Sequence, residues 1–222
     1  MRNRFDRQLE QLNNELINMG SLIEEAIEMA ITALMKQDAK KAKEIVDFDE
    51  EIDEKEREIE SLCLKLLLQQ QPVARDLRQI SAALKMITDM ERIGDQTSDI
   101  AEIIISAKYE NVAQDIDLIG AMATGVSTMV RDSVVAYVEK DLELARKVMA
   151  SDDKIDAYFD EIRDKMIAYI KAEHGEQGNR IFDLIMVTKY LERIGDHATN
   201  IAEWVEFSIT GVHKDSAALH ES

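Results

Sequence analysis

One five-residue segment occurs twice in this chain without change, and it constrains the fold more than any other feature. Residues 91–95 read Glu-Arg-Ile-Gly-Asp, and the same residues recur at 192–196, 101 positions later. Upstream, apolar and acidic positions repeat with a shift of 103, so that Asp49 falls on Asp152. Self-similarity over one long period indicates a duplicated structural unit. The sequence therefore predicts two tandem copies of one unit.

The composition predicts that both copies are helical. Pro72 is the only proline, there are 8 glycines, and aromatic residues make up 5% of the chain. Leu, Ile, Ala, Glu, Lys and Met dominate, and these residues lose little free energy on entering a helix. We therefore predict an all-α fold.

Apolar residues recur at three- and four-residue spacing, which predicts three helices in each half. Asp38 is a candidate N-cap for the second helix, because its carboxylate can accept free amide N–H groups of the first turn. The predicted helices cover residues 9–34, 38–69, 73–108, 117–139, 142–172 and 180–207. Long helices with short turns pack best as antiparallel bundles. We predict two tandem three-helix bundles, residues 1–110 and 111–211, and a flexible tail, residues 212–222.

Charge and hydropathy exclude several classes of function. The formal net charge is −18, from 45 acidic and 27 basic residues, which argues against nucleic acid as a partner. No stretch approaches the roughly 18 consecutive apolar residues of a membrane span, so no membrane insertion is expected. The polar N-terminus lacks the apolar region of a secretory signal, so we expect a cytoplasmic location. Without a phosphate loop, nucleophile elbow or zinc motif, we expect no catalytic residues and no enzyme.

Acidic residues form ladders on the predicted helices, since residues four apart share a helix face. The second and third helices of each half carry them. The ladder positions are Asp49, Asp53, Glu91, Asp95 and Asp99 in the first half, and Asp152, Asp156, Glu192, Asp196 and Asn200 in the second.

Two interpretations of these ladders remain open. Facing ladders repel unless a cation lies between them, and oxygen ligands suit Mg²⁺, Ca²⁺, Mn²⁺ or iron, with zinc kept as a further possibility. Alternatively, the acids form a solvated surface on which Arg92 and Arg193 pair with some of them. Gly94 and Gly195 each cost a helix about 1 kcal/mol relative to alanine. We expect them to permit close helix–helix approach.

The motifs together resemble those of a known family. Residues 69–78 read Gln-Gln-Gln-Pro-Val-Ala-Arg-Asp-Leu-Arg, and the two Glu-Arg-Ile-Gly-Asp copies follow. From about Phe5 to Gly211 the chain resembles the PhoU family, the phosphate-uptake regulators of bacteria. The resemblance implies a pair of three-helix bundles, usually dimeric, with some members binding iron or other metal clusters on acidic helix faces. By motif match, the ladder residues named above are the implied ligands, and Asn200 departs from the acidic pattern.

The resemblance also implies a function. It suggests a cytoplasmic adaptor that links a phosphate ABC transporter, through its ATPase, to a sensor histidine kinase. Such an adaptor is a negative regulator that represses the phosphate-starvation response when phosphate is plentiful.

Because Asp99 carries a charge and Asn200 does not, we also expect the first half to bind metal more tightly.

Two alternatives concern the metal. A carboxylate-bridged metalloenzyme of the ferritin-like type pairs glutamates with a Glu-x-x-His motif. Here the residues three after Glu91 and Glu192 are Gly94 and Gly195, which argues against that class. The other alternative is a metal-stabilised scaffold, in which the cation only holds acidic helices together. This scaffold remains compatible with an adaptor.

Overall fold

The computed structural model describes residues 2–70, 73–107, 116–172 and 178–212, and within them the chain forms six helices and no strand. The helices are α1 (Arg2–Lys36), α2 (Ala39–Gln70), α3 (Ala74–Ser106), α4 (Ile116–Glu139), α5 (Leu142–Ala172) and α6 (Gly178–Thr210). The all-α prediction is confirmed. The helix bounds differ from the predicted ones by at most three residues, except that α1 begins at Arg2 and not at residue 9. The predicted end of the third helix, residue 108, lies outside the described residues.

The second helix of each repeat is capped in the same way. Asp38 Oδ1 accepts the backbone N–H of Lys40 at 3.1 Å and of Lys41 at 3.0 Å, so the predicted N-cap of α2 is confirmed. Asp141, the equivalent residue, accepts the N–H of Leu144 at 3.0 Å and caps α5. An aspartate cap of this kind contributes about 1 kcal/mol to helix stability.

Each repeat forms the predicted three-helix bundle, and the two bundles pack against each other. α1, α2 and α3 contact one another, as do α4, α5 and α6. Between the bundles, α3 packs on α6 and α1 packs on α4. The predicted boundary between residues 110 and 111 lies outside the described residues. So does most of the predicted tail, of which only Val212 is described, as an exposed residue.

α3 and α6 run antiparallel at the centre of the molecule. Lys85, near the start of α3, places its ammonium 5.9 Å from the ring centre of Trp204, near the end of α6. Further along α3, Asp89 contacts Asn200. Because equivalent residues of the repeats differ by 101, this pairing relates the two bundles by an approximate twofold axis.

Apolar burial holds the helices together. Ile93 and Ile194 are fully buried, and each large aliphatic side chain removed from water contributes about 1.5–3 kcal/mol. Tyr137 of α4 is also fully buried, and its hydroxyl donates to the carbonyl oxygen of Gln79 on α3 at 2.8 Å. In the described part of the chain, none of the helices carries an apolar stretch of the length that a membrane span requires.

Candidate functional site

The structure brings the acidic residues of the first repeat together where α2 packs on α3. We call Asp49, Asp53, Glu91, Asp95 and Asp99 the first acidic face. All five are half-buried. The charges of the other four all act on Asp49 and raise its pKa. The grouping implied by the motif match is therefore present in the structure.

Of the five carboxylates of this face, Asp49 has the least favourable environment. Its Oδ1 atom is buried and has no hydrogen-bond partner among the described residues. Burial first, and then the neighbouring carboxylates, raise the pKa of Asp49 from its ordinary 3.8 to about 6. A buried acceptor without a donor costs about 1–3 kcal/mol. A cation beside Oδ1 would give this atom a partner and would offset the repulsion between the carboxylates.

Gly94 allows Asp49 to occupy this position. A Cβ atom added to Gly94 would lie 2.8 Å from Asp49 Oδ1 and 3.2 Å from two atoms of Ile52. The carboxylate therefore packs directly against the backbone of α3. In the second repeat, a Cβ atom on Gly195 would lie 3.2 Å from Ile155 and 3.6 Å from Asp152 Oδ1. The close helix–helix approach expected from both glycines is present, and it is tighter at Gly94.

Glu56 is a sixth carboxylate that the sequence analysis missed. It is half-buried on α2, where burial, followed by the charges of Glu60 and Asp53, raises its pKa. Its charge in turn helps to raise the pKa of Glu91. Positions 49, 53 and 56 are separated by four and three residues and so share one helix face. That spacing was the signal available in the sequence.

Arg92 neutralises only the outer edge of the first acidic face. Its guanidinium lies 2.9 Å from Asp95 and 3.5 Å from Glu91, and the arginine side chain is 55% exposed. Water screens ion pairs as exposed as these, so they stabilise the face little. The solvated interpretation therefore holds for this edge, whereas Asp49 stays inside the crowded part of the face.

The second acidic face consists of Asp152, Asp156, Glu192 and Asp196, between α5 and α6. Burial, followed by the charges of Asp196 and Asp156, raises the pKa of Asp152. Asp156 and Asp196 are exposed, so water screens this face more than the first. Asn200 points its amide toward Asp89 of the first repeat, with Nδ2 3.2 Å from Oδ1.

Lys189 gives the second face a cation of its own. Its ammonium pairs with Glu192 and lies 5.3 Å from the ring centre of Phe159. Phe159 occupies the position equivalent to Glu56, so the second face lacks that carboxylate and has a lysine next to it instead. The two faces therefore differ in charge as well as in burial. The carboxylates of the first face repel one another more strongly, so a cation would stabilise that face more.

The donor chemistry of the first face fits a hard cation. Its ligand atoms are carboxylate oxygens, and Asp49 Oδ1 is buried without a partner. With the side chains as they stand, no group of three or more acidic, histidine or cysteine residues in the described part of the chain is arranged to hold a metal ion. A bound cation would therefore require side chains of the first acidic face to move.

Comparison with known proteins gives matches over nearly the whole chain. The PhoU domain model matches twice, at residues 16–104 and 119–205, that is, once in each three-helix bundle. A phosphate-specific transport system accessory protein PhoU homolog of Clostridium acetobutylicum is 39% identical over 95% of this chain and 96% of its own length. A homolog of the same name from Pseudomonas putida is 34% identical over 93% of this chain and 81% of its own.

Two solved structures share the fold. The crystal structure of PhoU from Pseudomonas aeruginosa superposes with a TM-score of 0.87, at 31% identity, over 94% of this chain and 100% of that one. The phosphate transport system regulatory protein PhoU from Streptococcus pneumoniae superposes with a TM-score of 0.86, at 26% identity, over 94% and 98%. The tandem arrangement of bundles is thus that of solved relatives.

Gly94→Ala should destabilise the protein more than Gly195→Ala. Both substitutions gain about 1 kcal/mol of helix propensity, but overpacking costs about 1–3 kcal/mol, and contact at Gly94 is closer. We expect the free energy of unfolding of Gly94→Ala, measured in urea, to be about 1–2 kcal/mol lower than that of Gly195→Ala. Equal stability of the two variants would show that Asp49 and Ile52 move aside freely.

Asp49→Asn should stabilise the metal-free protein at neutral pH. The raised pKa means that the folded state holds the proton more tightly than the unfolded state, so stability falls as pH rises from about 4 to about 6 and stays low above it. Urea unfolding in chelator should show the variant to be more stable than the parent at pH 7.5, with the difference shrinking toward pH 4. Glu50→Gln, at an exposed site on the same helix, is the matched control. The same pH dependence in parent and Asp49→Asn would contradict the crowding of this carboxyl.

Proposed function

The chain belongs to the PhoU family, and on that basis we propose that it is a regulatory accessory protein of phosphate transport. The observation that carries this proposal is the pair of family matches, which cover α1 to α3 and α4 to α6 in turn. Two relatives that align with more than nine-tenths of this chain are named as phosphate transport accessory proteins.

The finer part of the proposal concerns partners. We propose that the protein is a non-catalytic adaptor in the cytoplasm, where it connects a phosphate ABC transporter, through its ATPase, to a sensor histidine kinase. In this role it represses the phosphate-starvation response when phosphate is plentiful, and it works as a homodimer. These points rest on the resemblance of the repeated Glu-Arg-Ile-Gly-Asp and Gln-Pro-Val-Ala-Arg-Asp segments to the family.

We also propose that the acidic faces bind a divalent or ferric cation. The support is the buried Asp49 Oδ1, which lacks a donor and lies among carboxylates that raise its pKa. Asp53, Glu91, Asp95 and Asp99 would complete the first site, and the second acidic face with Asn200 would form the second. A cation supplies positive charge between α2 and α3, which fits both a regulatory and a scaffold role.

Deletion of the gene should leave phosphate-starvation genes expressed in phosphate-rich medium, because the repressing adaptor is gone. Reporter expression is measured in the deletion strain at high and low phosphate. The intact gene on a plasmid should restore repression, and the same gene with an early stop codon is the matched control. Normal repression in the deletion strain, in a bacterium with no second copy, would overturn the adaptor proposal.

Mn²⁺ should bind in two classes, with the tighter class at the first acidic face. Six half-buried carboxylates surround the first site, whereas Lys189 and two exposed aspartates weaken the second. Electron paramagnetic resonance of free Mn²⁺ should show loss of the tight class in Asp95→Ala and of the weak class in Asp196→Ala. The double variant should lose both while circular dichroism shows unchanged helix content, because apolar packing supplies most of the stability. Unchanged Mn²⁺ per chain in the double variant would refute the ligands.

A further inference from the structure

Four large aliphatic side chains are exposed where α2 ends and α3 begins. Leu68, close to the end of α2, is 83% exposed, and Val73, just before α3, is 66% exposed. Leu64, one turn before Leu68 on the same face of α2, and Leu77, in the first turn of α3, are exposed as well. We call these four residues the apolar tip. Apolar side chains gathered in a patch of a few hundred Å² on a protein surface mark an interaction site.

The start of α1 and the end of α6 border the apolar tip. α1 and α2 are joined by a turn of two residues, and Lys55 of α2 pairs with Glu15 of α1 at 3.1 Å, so the two helices run antiparallel. The first turns of α1 therefore lie beside the last turns of α2. At the end of α6, a Cβ atom added to Gly211 would lie 3.5 Å from Nε of Arg78.

This end of the molecule is locally basic, although the whole chain carries a net charge of −18. Within the first two turns of α1 and α3 and the last two turns of α2, the described charged side chains are the basic Arg4, Arg7, Lys65, Arg75 and Arg78 and the acidic Asp6 and Asp76. The end of α6 adds Glu206, which pairs with Arg146 of α5 at 3.0 Å. Basic residues therefore outnumber acidic ones around the apolar tip.

The crowded carboxylates of the first acidic face lie far from this end. Asp49 and Leu68 are both on α2, about 28 Å apart along the helix axis at a rise of about 1.5 Å per residue. Electrostatic interactions through physiological salt fall off over about 8 Å. A negatively charged surface that meets the apolar tip is therefore attracted by the nearby basic residues and screened from the first acidic face.

Projecting apolar side chains beside basic ones suit an anionic lipid surface. A groove that takes up a peptide covers its own apolar side chains in part, whereas Leu68 is almost fully exposed and projects from the end of α2. A lipid interface takes up projecting aliphatic side chains at the boundary between headgroups and acyl chains. Lysine and arginine beside them attract anionic headgroups, and their long side chains keep the charge at headgroup level.

We propose that the apolar tip and the basic residues around it bind an anionic lipid surface end-on. Leu68 and Val73 enter the interface, while Lys65 and Arg75, both exposed, contact lipid phosphates. The contact is peripheral and involves no membrane-spanning helix. It is independent of the cation binding proposed above, and it goes beyond the role in phosphate transport, which rests on the family matches.

Flotation with lipid vesicles tests this inference. The full chain is mixed, in chelator and at physiological salt, with vesicles of equal parts phosphatidylglycerol and phosphatidylcholine or of phosphatidylcholine alone. One tip variant combines Leu68→Ser with Val73→Ser, and the other is Arg75→Glu. All three side chains are exposed, so the fold should be retained, which circular dichroism checks.

Two matched controls carry the same kinds of change away from the apolar tip. Ile167→Ser with Phe182→Ser removes exposed apolar side chains at the corresponding end of the second bundle. Lys43→Glu reverses an exposed charge near the start of α2, at the opposite end of the helix from Leu68.

The parent should bind the phosphatidylglycerol vesicles at least about tenfold more strongly than vesicles of phosphatidylcholine alone, and less strongly as salt is raised. Each tip variant should lose about tenfold in affinity for the anionic vesicles, because it loses either apolar contact or charge attraction. Both controls should bind like the parent.

Other outcomes overturn the inference. They are the absence of parent binding to the anionic vesicles, equal binding by parent and tip variants, and an equal loss in the controls. A smaller oligomer of the Leu68→Ser and Val73→Ser variant in sedimentation, without vesicle binding by the parent, would assign the apolar tip to contact between copies of this chain. None of these outcomes affects the proposed role in phosphate transport, which the deletion strain tests.

Discussion

α3 and α6 pack antiparallel at the centre of the protein, and each of the other four helices packs on one of them. α1 and α2 contact α3, while α4 and α5 contact α6. At the repeated segment, Ile93 and Gly94 are buried, as are their counterparts Ile194 and Gly195. Glu91 and Asp95 lie on the same helix segment but only half-buried, facing the acids of α2. The Glu-Arg-Ile-Gly-Asp segment thus combines core residues and site residues within little more than one turn.

This combination has an energetic consequence. The close approach at Gly94 fixes Asp49 against the α3 backbone, among like charges that raise its pKa. The apolar core must offset this repulsion when no cation is present. Carboxyl groups whose pKa is shifted by burial and by like charges are a recurrent property of functional sites. The buried isoleucines beside the site therefore stabilise an arrangement that the acidic residues alone would not adopt.

Much of this architecture could be predicted from the sequence. The duplication, the six helices and the Asp38 cap follow from local patterns, because they depend on spacing along one chain segment. That the acids of α2 and α3 lie together was implied by the family resemblance and not by spacing along one helix. Glu56 was overlooked although its spacing signalled it. The contact of Asp89 with Asn200, and that of Lys189 with Phe159, depend on how helices pack against each other, which periodicity within one helix does not determine. The expected asymmetry between sites rested on Asn200 alone, and the structure adds the exposure of Asp196 and the charge of Lys189.

We propose that the crowded carboxylates between α2 and α3 form a cation site. Anomalous diffraction at the manganese edge, from crystals grown with Mn²⁺, tests this proposal most directly. We expect a strong peak between α2 and α3 beside Asp49 and Asp95, and a weaker peak, or one that appears only at higher Mn²⁺, between α5 and α6. A well-ordered first face with no peak at saturating Mn²⁺, or a peak only at α5 and α6, would contradict it.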